Sequence, residues 1–314
     1  MKLGVTGGSG FIGSHVVDSL IAAGHEVSVL DPKPPHRPDA GHRPVSILDS
    51  GALAGALAGL DAVFHLAAFA DVNDVVRDPA GAIDLNVGGT ARILEAARQT
   101  GVGRVILAST VWVYSSVAPL VGDEVDESAP FAVDAARHVY TSSKLAAEML
   151  CHDYWTMHQL PFTILRYGIP YGPRMRLSLV VPVFVKKALA GEPLTVAGDG
   201  TQHRKFVYVQ DLAQAHVLAL SEQAKNQTYN LDGREKITIL RIAETVLRLT
   251  GSQHPIQFLP GRAGDYSGKE VSSEKARREL GWVPQVGFDE GMAETVPWLI
   301  RRLTEEGAAP VSNR

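Results

Sequence analysis

A doubly wound α/β fold, built on a parallel sheet with a smaller α/β lobe beside it, is what the sequence predicts. Two observations carry that expectation. Short apolar runs of strand length alternate with longer helical runs from Leu3 to Ala108. The first strand runs into a glycine-rich turn and a helix, and the second strand ends on an acid.

Leu3-Gly4-Val5-Thr6 reads as a buried strand, and Phe11 to Ala23 as the helix that follows it. Between them lie Gly7, Gly10 and Gly13, spaced G-x-x-G-x-x-G. Gly7 permits the tight turn, Gly10 lacks the Cβ that would block a pyrophosphate, and Gly13 lets helix and strand pack closely. The helix start at Phe11, Ile12 and Gly13 offers N–H groups to phosphates. Glu26 to Leu30 is the second strand, and Asp31 follows it, 18 residues beyond Gly13. That is close to the ~20 expected of an acid that binds the adenosine ribose of a dinucleotide. Its carboxylate favours NAD over NADP, because it repels a 2′-phosphate; Lys33 and Arg37 are nearby cations.

Pro32 to Pro44 reads as an exposed loop, with His36 and His42 solvated. Val45 to Leu48 is expected as a third strand ending at Asp49, and Ala52 to Leu60 as an alanine-rich helix. Ala62 to Ala68 is expected as a fourth strand whose small residues, Ala67 and Ala68, allow a ligand near the backbone. Asn86 to Thr90 leads into an amphipathic helix reaching Arg98. Gly103 to Ala108 is a fifth strand, and it brings Ser109 and Thr110 to the carboxyl edge of the sheet, where ligands bind in open α/β folds.

Tyr140 and Lys144 lie four residues apart on a run that reads as one helix up to Pro161, so both occupy one face. A phenol beside an ammonium is a proton-transfer pair, since the positive charge favours the phenolate. Further on, Val180 to Ala190, Ile239 to Leu249 and Ser272 to Leu280 read as helices, and Leu194 to Val196 as a strand. Lys205 to Leu220 is expected to return to the main sheet, and the tail after Gly307 to fray.

Composition limits the partners. A net charge of -4 and the lack of a basic run speak against nucleic acid and anionic membranes. The single cysteine, Cys151, leaves no intrachain disulfide and no cysteine-based metal cluster, and no metal site is expected. Met1 runs straight into a strand, and no stretch is long and apolar enough to span a bilayer; the expected compartment is the cytoplasm.

With these residues in view, the chain resembles the extended short-chain dehydrogenase/reductase family, in its branch of NAD-dependent nucleotide-sugar epimerases and dehydratases. The marks are Gly7 to Gly13, Asp31, Asp49, His65-Leu66-Ala67-Ala68, Asn86 to Thr90, Ser109 to Tyr114 and Tyr140-x-x-x-Lys144. Leu165-Arg166-Tyr167, Tyr171-Gly172-Pro173, Gly198 to Arg204, Val207 to Asp211, Arg262-x-x-Asp265 and Leu280-Gly281-Trp282 extend them over nearly the whole chain. The resemblance implies a Rossmann-type NAD-binding domain, residues 1–166 plus about 204–231, and a sugar-nucleotide lobe, about 167–203 plus 232–314. It implies that Tyr140 is the acid/base at a sugar hydroxyl, that Thr110 hydrogen-bonds the same hydroxyl, and that Lys144 holds the nicotinamide ribose. Asp31, Asp49 and Leu66 to Ala68 would line the nucleotide, and Arg204 and Arg262 would anchor the substrate diphosphate. Arg176 matches an arginine that faces the C6 carboxylate in relatives acting on UDP-glucuronate.

The implied reaction is inversion of C4 in a UDP-hexose, by a homodimer, through a 4-keto intermediate. Two departures stand out: Ile169 replaces the usual Asn, which contacts the nucleotide diphosphate, and Ser115 replaces a glycine. A 4,6-dehydratase would carry an Asp-Glu pair where this chain has Val111-Trp112. A decarboxylase and a 4-keto reductase remain alternatives. An NAD-binding sensor is another, against which the intact Thr110, Tyr140 and Lys144 count.

Overall fold

The computed structural model describes residues 1–116, 124–132, 138–260 and 270–305. The chain opens with β1 (Lys2–Thr6), α1 (Phe11–Ala22), β2 (Glu26–Leu30), β3 (Gly41–Arg43), α2 (Ser50–Leu57) and β4 (Ala62–His65). Then α3 (Val72–Arg77) and α4 (Pro79–Ile83) lead through a π-helical turn, Asp84–Gly88, into α5 (Gly89–Thr100) and β5 (Arg104–Thr110). A 3₁₀ turn at Val111–Ser116 and β6 (Glu124–Val125) precede α6 (Val139–His158), β7 (Phe162–Tyr167) and β8 (Ile169–Tyr171). The rest comprises α7 (Val180–Leu189), β9 (Leu194–Ala197), β10 (His203–Tyr208), α8 (Val209–Leu218), β11 (Gln227–Leu231), β12 (Lys236–Thr238), α9 (Ile239–Thr250), β13 (Ile256–Leu259), β14 (Glu270–Val271), α10 (Glu274–Leu280) and α11 (Phe288–Glu305).

The main sheet is parallel throughout, in the order β11-β7-β5-β4-β1-β2-β3. The order reverses between β1 and β4, so their carboxyl ends open a crevice at the switch point of a doubly wound fold. Every residue of β5 and β7 is buried, so β5 carries the continuous apolar run Val105-Ile106-Leu107-Ala108 rather than an alternating one, and the polar Thr163 and Arg166 of β7 are buried as well. Leu53 and Leu57 of α2, Ile93, Leu94 and Ala97 of α5, and Ala147 and Cys151 of α6 share one core with Val63, Val105, Leu107 and Phe162. Burial there pushes the Cys151 thiol pKa well up.

Among the described residues the chain divides into two compact units. The first holds Met1–Gly168, Leu212–Asp232 and Lys269–Val283, and the second Ile169–Asp211, Gly233–Gly268 and Pro284–Arg314. In the second unit β12-β10-β8 and β13-β9 form small sheets, and α7, α9 and α11 bury Phe184, Val185, Ile242, Val246, Val296 and Leu299. Residues 204–211 thus group with the second unit and 270–283 with the first, unlike the division the resemblance implies.

Two expected elements differ. The third strand is Gly41–Arg43, not Val45–Leu48. Pro44 has no N–H and ends the ladder; Val45 and Ile47 still turn inward to the core, and Ser46 opens a turn into α2. Nor does the stretch from Lys205 return to the main sheet. β10 pairs with β8 and β12, and β11 is the strand that rejoins the main sheet, beside β7. The tail expected to fray lies outside the described residues.

Candidate active site

The glycine turn follows β1. Gly7 has φ +67°, and a Cβ there would sit 2.8 Å from the Ala67 nitrogen. At Gly13 a Cβ would come 2.1 Å from the Gly7 carbonyl oxygen, so helix and turn pack as expected. Gly10 is exposed, and a Cβ there would meet only the Gly7 oxygen, at 3.1 Å. The space above Gly10 is therefore open, and no side chain caps the first turn of α1. An open cradle at a helix N-terminus fits the pyrophosphate of a dinucleotide.

Asp31 leaves β2 beside this turn. Its Oδ2 accepts the Ser9 N–H at 3.3 Å and its Oδ1 the Lys33 N–H at 2.9 Å. His36 and, within β3, His42, both expected to be solvated loop residues, also reach the backbone here. His36 bonds the Ser9 carbonyl at 3.0 Å and His42 the Asp31 carbonyl at 2.9 Å, both from Nε2. Arg37 is held by Asp39 at 2.5 Å and by Asp18 at 3.5 Å, so its charge is already met by carboxylates. Asp49 caps α2, accepting from the N–H groups of Gly51 and Ala52.

The candidate proton-transfer residues lie on β5 and α6. Thr110 ends β5, buried, directly across from Tyr167 of β7, and its Oγ1 accepts the Trp112 N–H at 3.2 Å. His138 caps α6 by accepting the Tyr140 N–H on Nδ1 at 3.0 Å. One turn on, Lys144 is 6 % exposed and donates from Nζ to the Ala108 carbonyl at 2.8 Å. Burial lowers its pKa to about 8, while Glu148 pulls the other way. The Tyr167 phenol lies within the field of Tyr140; burial first, then Tyr140, raise its pKa well above the ordinary value. Its hydroxyl bonds His216 Nε2 at 2.6 Å, and His216 Nδ1 donates to the Leu212 carbonyl at 2.8 Å. A phenol, a hydroxyl and a buried ammonium are groups that can take and return a proton at a bound alcohol.

Beneath them lies a buried ion pair. Arg166 meets Glu148 through two guanidinium nitrogens, at 2.6 Å from Nη2, and donates from Nη1 to Tyr114 Oη at 2.8 Å. Glu148 also accepts from Ser109, the neighbour of Thr110. Arg166 stacks over the rings of Tyr114 and Phe131. Burial works against its charge, but Glu148 outweighs that and raises its pKa.

Leu66 and Ala67 donate their N–H groups to Thr6 Oγ1, with Ala68 next in the chain. Arg176, exposed, and Arg204, half-buried, belong to the second unit; Arg262 lies outside the described residues. Sequence reading noted His65 and Asn86 only as family marks, yet both sit in a buried polar chain below Tyr140. The bonds of His65 to Thr6 and Thr90 and of Asn86 to Ser143 span 25 to 59 residues, which no local spacing reveals. Among the described residues no cluster of His, Cys, Asp or Glu could hold a metal ion, and no helix is long and apolar enough to cross a membrane.

Known proteins resemble this chain along most of its length. UDP-N-acetyl-alpha-D-glucosaminuronate decarboxylase of Bacillus cytotoxicus is 32% identical over 311 residues, covering 94% of this chain and 96% of that protein. The crystal structure of UDP-glucose 4-epimerase from Thermotoga maritima with UDP-glucose superposes with TM-score 0.88 at 32% identity, covering 96% of this chain and 100% of that one. UDP-glucuronic acid 4-epimerase from Bacillus cereus, in complex with UDP-glucuronic acid and NAD, gives TM-score 0.85 at 28% identity, with 96% and 100% covered. Further relatives are UDP-glucuronic acid decarboxylases, 4-epimerases and dTDP-glucose 4,6-dehydratases. The sequence model of one family matches residues 3–232. The chain belongs to the NAD dependent epimerase/dehydratase family, whose members use NAD to modify nucleotide sugars.

Proposed function

We propose that the protein is an NAD-dependent 4-epimerase of a UDP-hexose, either UDP-glucose/galactose or UDP-glucuronate. The observation that carries this reading is Val111-Trp112 directly after Thr110. Neither side chain transfers a proton, so the hydroxyl has no acid/base neighbours in sequence to act on C5 and C6, and the chemistry stays at C4. The resemblance to solved 4-epimerases along the whole chain supports it.

Gly7, Gly10, Phe11, Ile12 and Gly13 hold the pyrophosphate of NAD, Asp31 its adenosine ribose, and Asp49 and Leu66 to Ala68 line the nucleotide. Bound there, NAD supplies the two-electron oxidation and re-reduction of the sugar carbon. Tyr140 takes the proton of the C4 hydroxyl and returns one after the 4-keto sugar has presented its other face. Thr110 hydrogen-bonds that hydroxyl. Lys144 holds the nicotinamide ribose, and its positive charge favours the Tyr140 phenolate. Arg204 and Arg262 anchor the diphosphate, and Arg176 takes a C6 carboxylate where the sugar carries one. The exposed Met149 and Met157 on α6 are apolar surface of the kind a second copy covers in a homodimer, and the lone buried thiol suits the cytoplasm.

A second reading is decarboxylation of a UDP-uronate, supported by the decarboxylases among the relatives. A 4-keto uronate is a β-keto acid and loses carbon dioxide readily, so both reactions begin with the same oxidation. Purified protein with NAD and a panel of UDP-, dTDP- and GDP-sugars, followed by proton NMR, separates them. Inversion at C4 with the carbon count kept is the expected outcome; a pentose product or a 4-keto-6-deoxy sugar overturns the epimerase reading.

A further inference from the structure

Buried polar groups from five stretches of the first unit form one hydrogen-bonded chain: Thr6, His65, Thr90, Asn86 and Ser143. The proton directions follow from one fixed end. Thr90 Oγ1 donates to the Asn86 carbonyl at 2.6 Å, so it accepts from His65 Nε2–H at 3.1 Å. The other nitrogen of a neutral imidazole is then an acceptor, and His65 Nδ1 takes the Thr6 hydroxyl proton at 2.8 Å. That leaves the Thr6 lone pairs for the N–H groups of Leu66 and Ala67, at 3.1 Å and 3.2 Å. On the far side Asn86 Nδ2 donates to Ser143 Oγ at 3.0 Å, and Ser143 donates to the Tyr140 carbonyl at 2.8 Å. Asn86 is also locked to the Phe69 backbone by bonds in both directions. The pattern requires an uncharged ring, and burial keeps it so by lowering the His65 pKa to about 3.

We infer that His65 is a positioning residue, joining the segment that packs on the glycine turn to the first turn of the helix that bears Tyr140. Of the side chains that could fill this site, neutral imidazole alone holds a rigid acceptor at one end and a donor at the other. One end fixes Thr6 and the Leu66–Ala67 backbone, against which Gly7 packs. The other fixes the π-helical turn of Asn86, which grips the Tyr140 backbone through Ser143. Every member of the chain is satisfied, and such a network rigidifies what it connects. The assignment rests on Tyr140 as the proton-transfer group.

The test cuts each leg separately. His65→Asn keeps an amide near the Nδ1 position and loses the Thr90 leg; His65→Gln reaches the Nε2 position and loses the Thr6 leg. Thr90→Val cuts the Thr90 leg without touching His65. NAD affinity is measured by calorimetry, backbone hydrogen exchange over residues 139–150 by mass spectrometry, and turnover on the sugar nucleotide at saturating NAD. His65→Asn and Thr90→Val are expected to bind NAD as wild type does. Their first turn of α6 exchanges faster, and kcat falls about tenfold or more with KM unchanged, as for a displaced catalytic group. His65→Gln is expected to weaken NAD about fivefold, the worth of one neutral hydrogen bond, with the smaller loss in kcat. Equal losses in all three variants that merely follow their melting temperatures would reduce His65 to a packed core residue. If Tyr140→Phe retains turnover, the proton-transfer role fails, while the affinity and exchange measurements still decide the bridge.

Discussion

Tyr140 is held by its backbone at both ends: His138 accepts its N–H and Ser143 donates to its carbonyl. Replacing the phenol by phenyl disturbs neither bond. Tyr140→Phe is therefore expected to fold and bind NAD normally and to lose at least ~100-fold in turnover, the lower end of acid/base catalysis. A rate near wild type in a coupled assay would remove Tyr140 from the mechanism. Arg176 is exposed in the second unit, and a guanidinium fork matches a carboxylate better than a hydroxymethyl group. Arg176→Ala is expected to cost ~1.5–3 kcal/mol in kcat/KM on UDP-glucuronate and little on UDP-glucose. Equal losses on both sugars would leave the neutral hexose as the substrate. Arg176 came only from the resemblance, whereas Asp31 and Lys144 were legible because spacing ties each to a motif, Asp31 to the glycine turn and Lys144 to Tyr140. His65, Asn86 and Ser143 were not, because their bonds join strands and helices far apart in sequence.

At the scale of elements, the Glu148–Arg166 pair fastens α6 to β7, with both side chains about nine-tenths or more buried. Removing one partner strands a buried charge. Glu148→Ala is expected to lose about 3–5 kcal/mol in denaturant unfolding, whereas Glu148→Leu with Arg166→Met recovers much of it, since an apolar pair can replace a buried ion pair. If the double variant is as unstable as the single, the pair's geometry matters beyond its charge. β7, β11 and α11 were not read, whereas β1, β2 and β5 and the helices α1, α5, α6, α7 and α9 were legible from their periodicity. The edge of the sheet was not: Val45 and Ile47 alternate as a strand does, but Pro44 denies the ladder its donor and moves β3 upstream. Pro297 inside α11 likewise interrupts a run that nevertheless folds as a helix, because Met292, Val296 and Leu299 are buried in the second unit.

The molecule as a whole carries two fully buried neutral histidines, His65 and His216, with pKa values lowered by burial to about 3 and about 4. Unfolding frees both to protonate near 6.5. Between the folded and unfolded values the unfolded chain binds more protons, so stability rises with pH there and falls on acidification. From pH 6.5 down to pH 5 each histidine is expected to remove up to about 2 kcal/mol. Denaturant midpoints at pH 7 and pH 5 check this: His216→Gln, which cannot titrate, should show the shallower decline, and an unchanged slope would mean that His216 is not held neutral.

Cys151 sits in the core that α6 shares with α5 and the main sheet, and burial suppresses its thiolate. A thiol reagent therefore reaches it only in molecules whose α6 has come undocked. The protein's one sulfhydryl is a built-in clock for that event, and no label has to be engineered. Cofactor that binds only the docked form should slow the clock by the factor 1 + [NAD]/Kd when docking is faster than labelling. Labelling half-times across a series of NAD concentrations would then yield cofactor affinity with no substrate and no optical change at the nicotinamide.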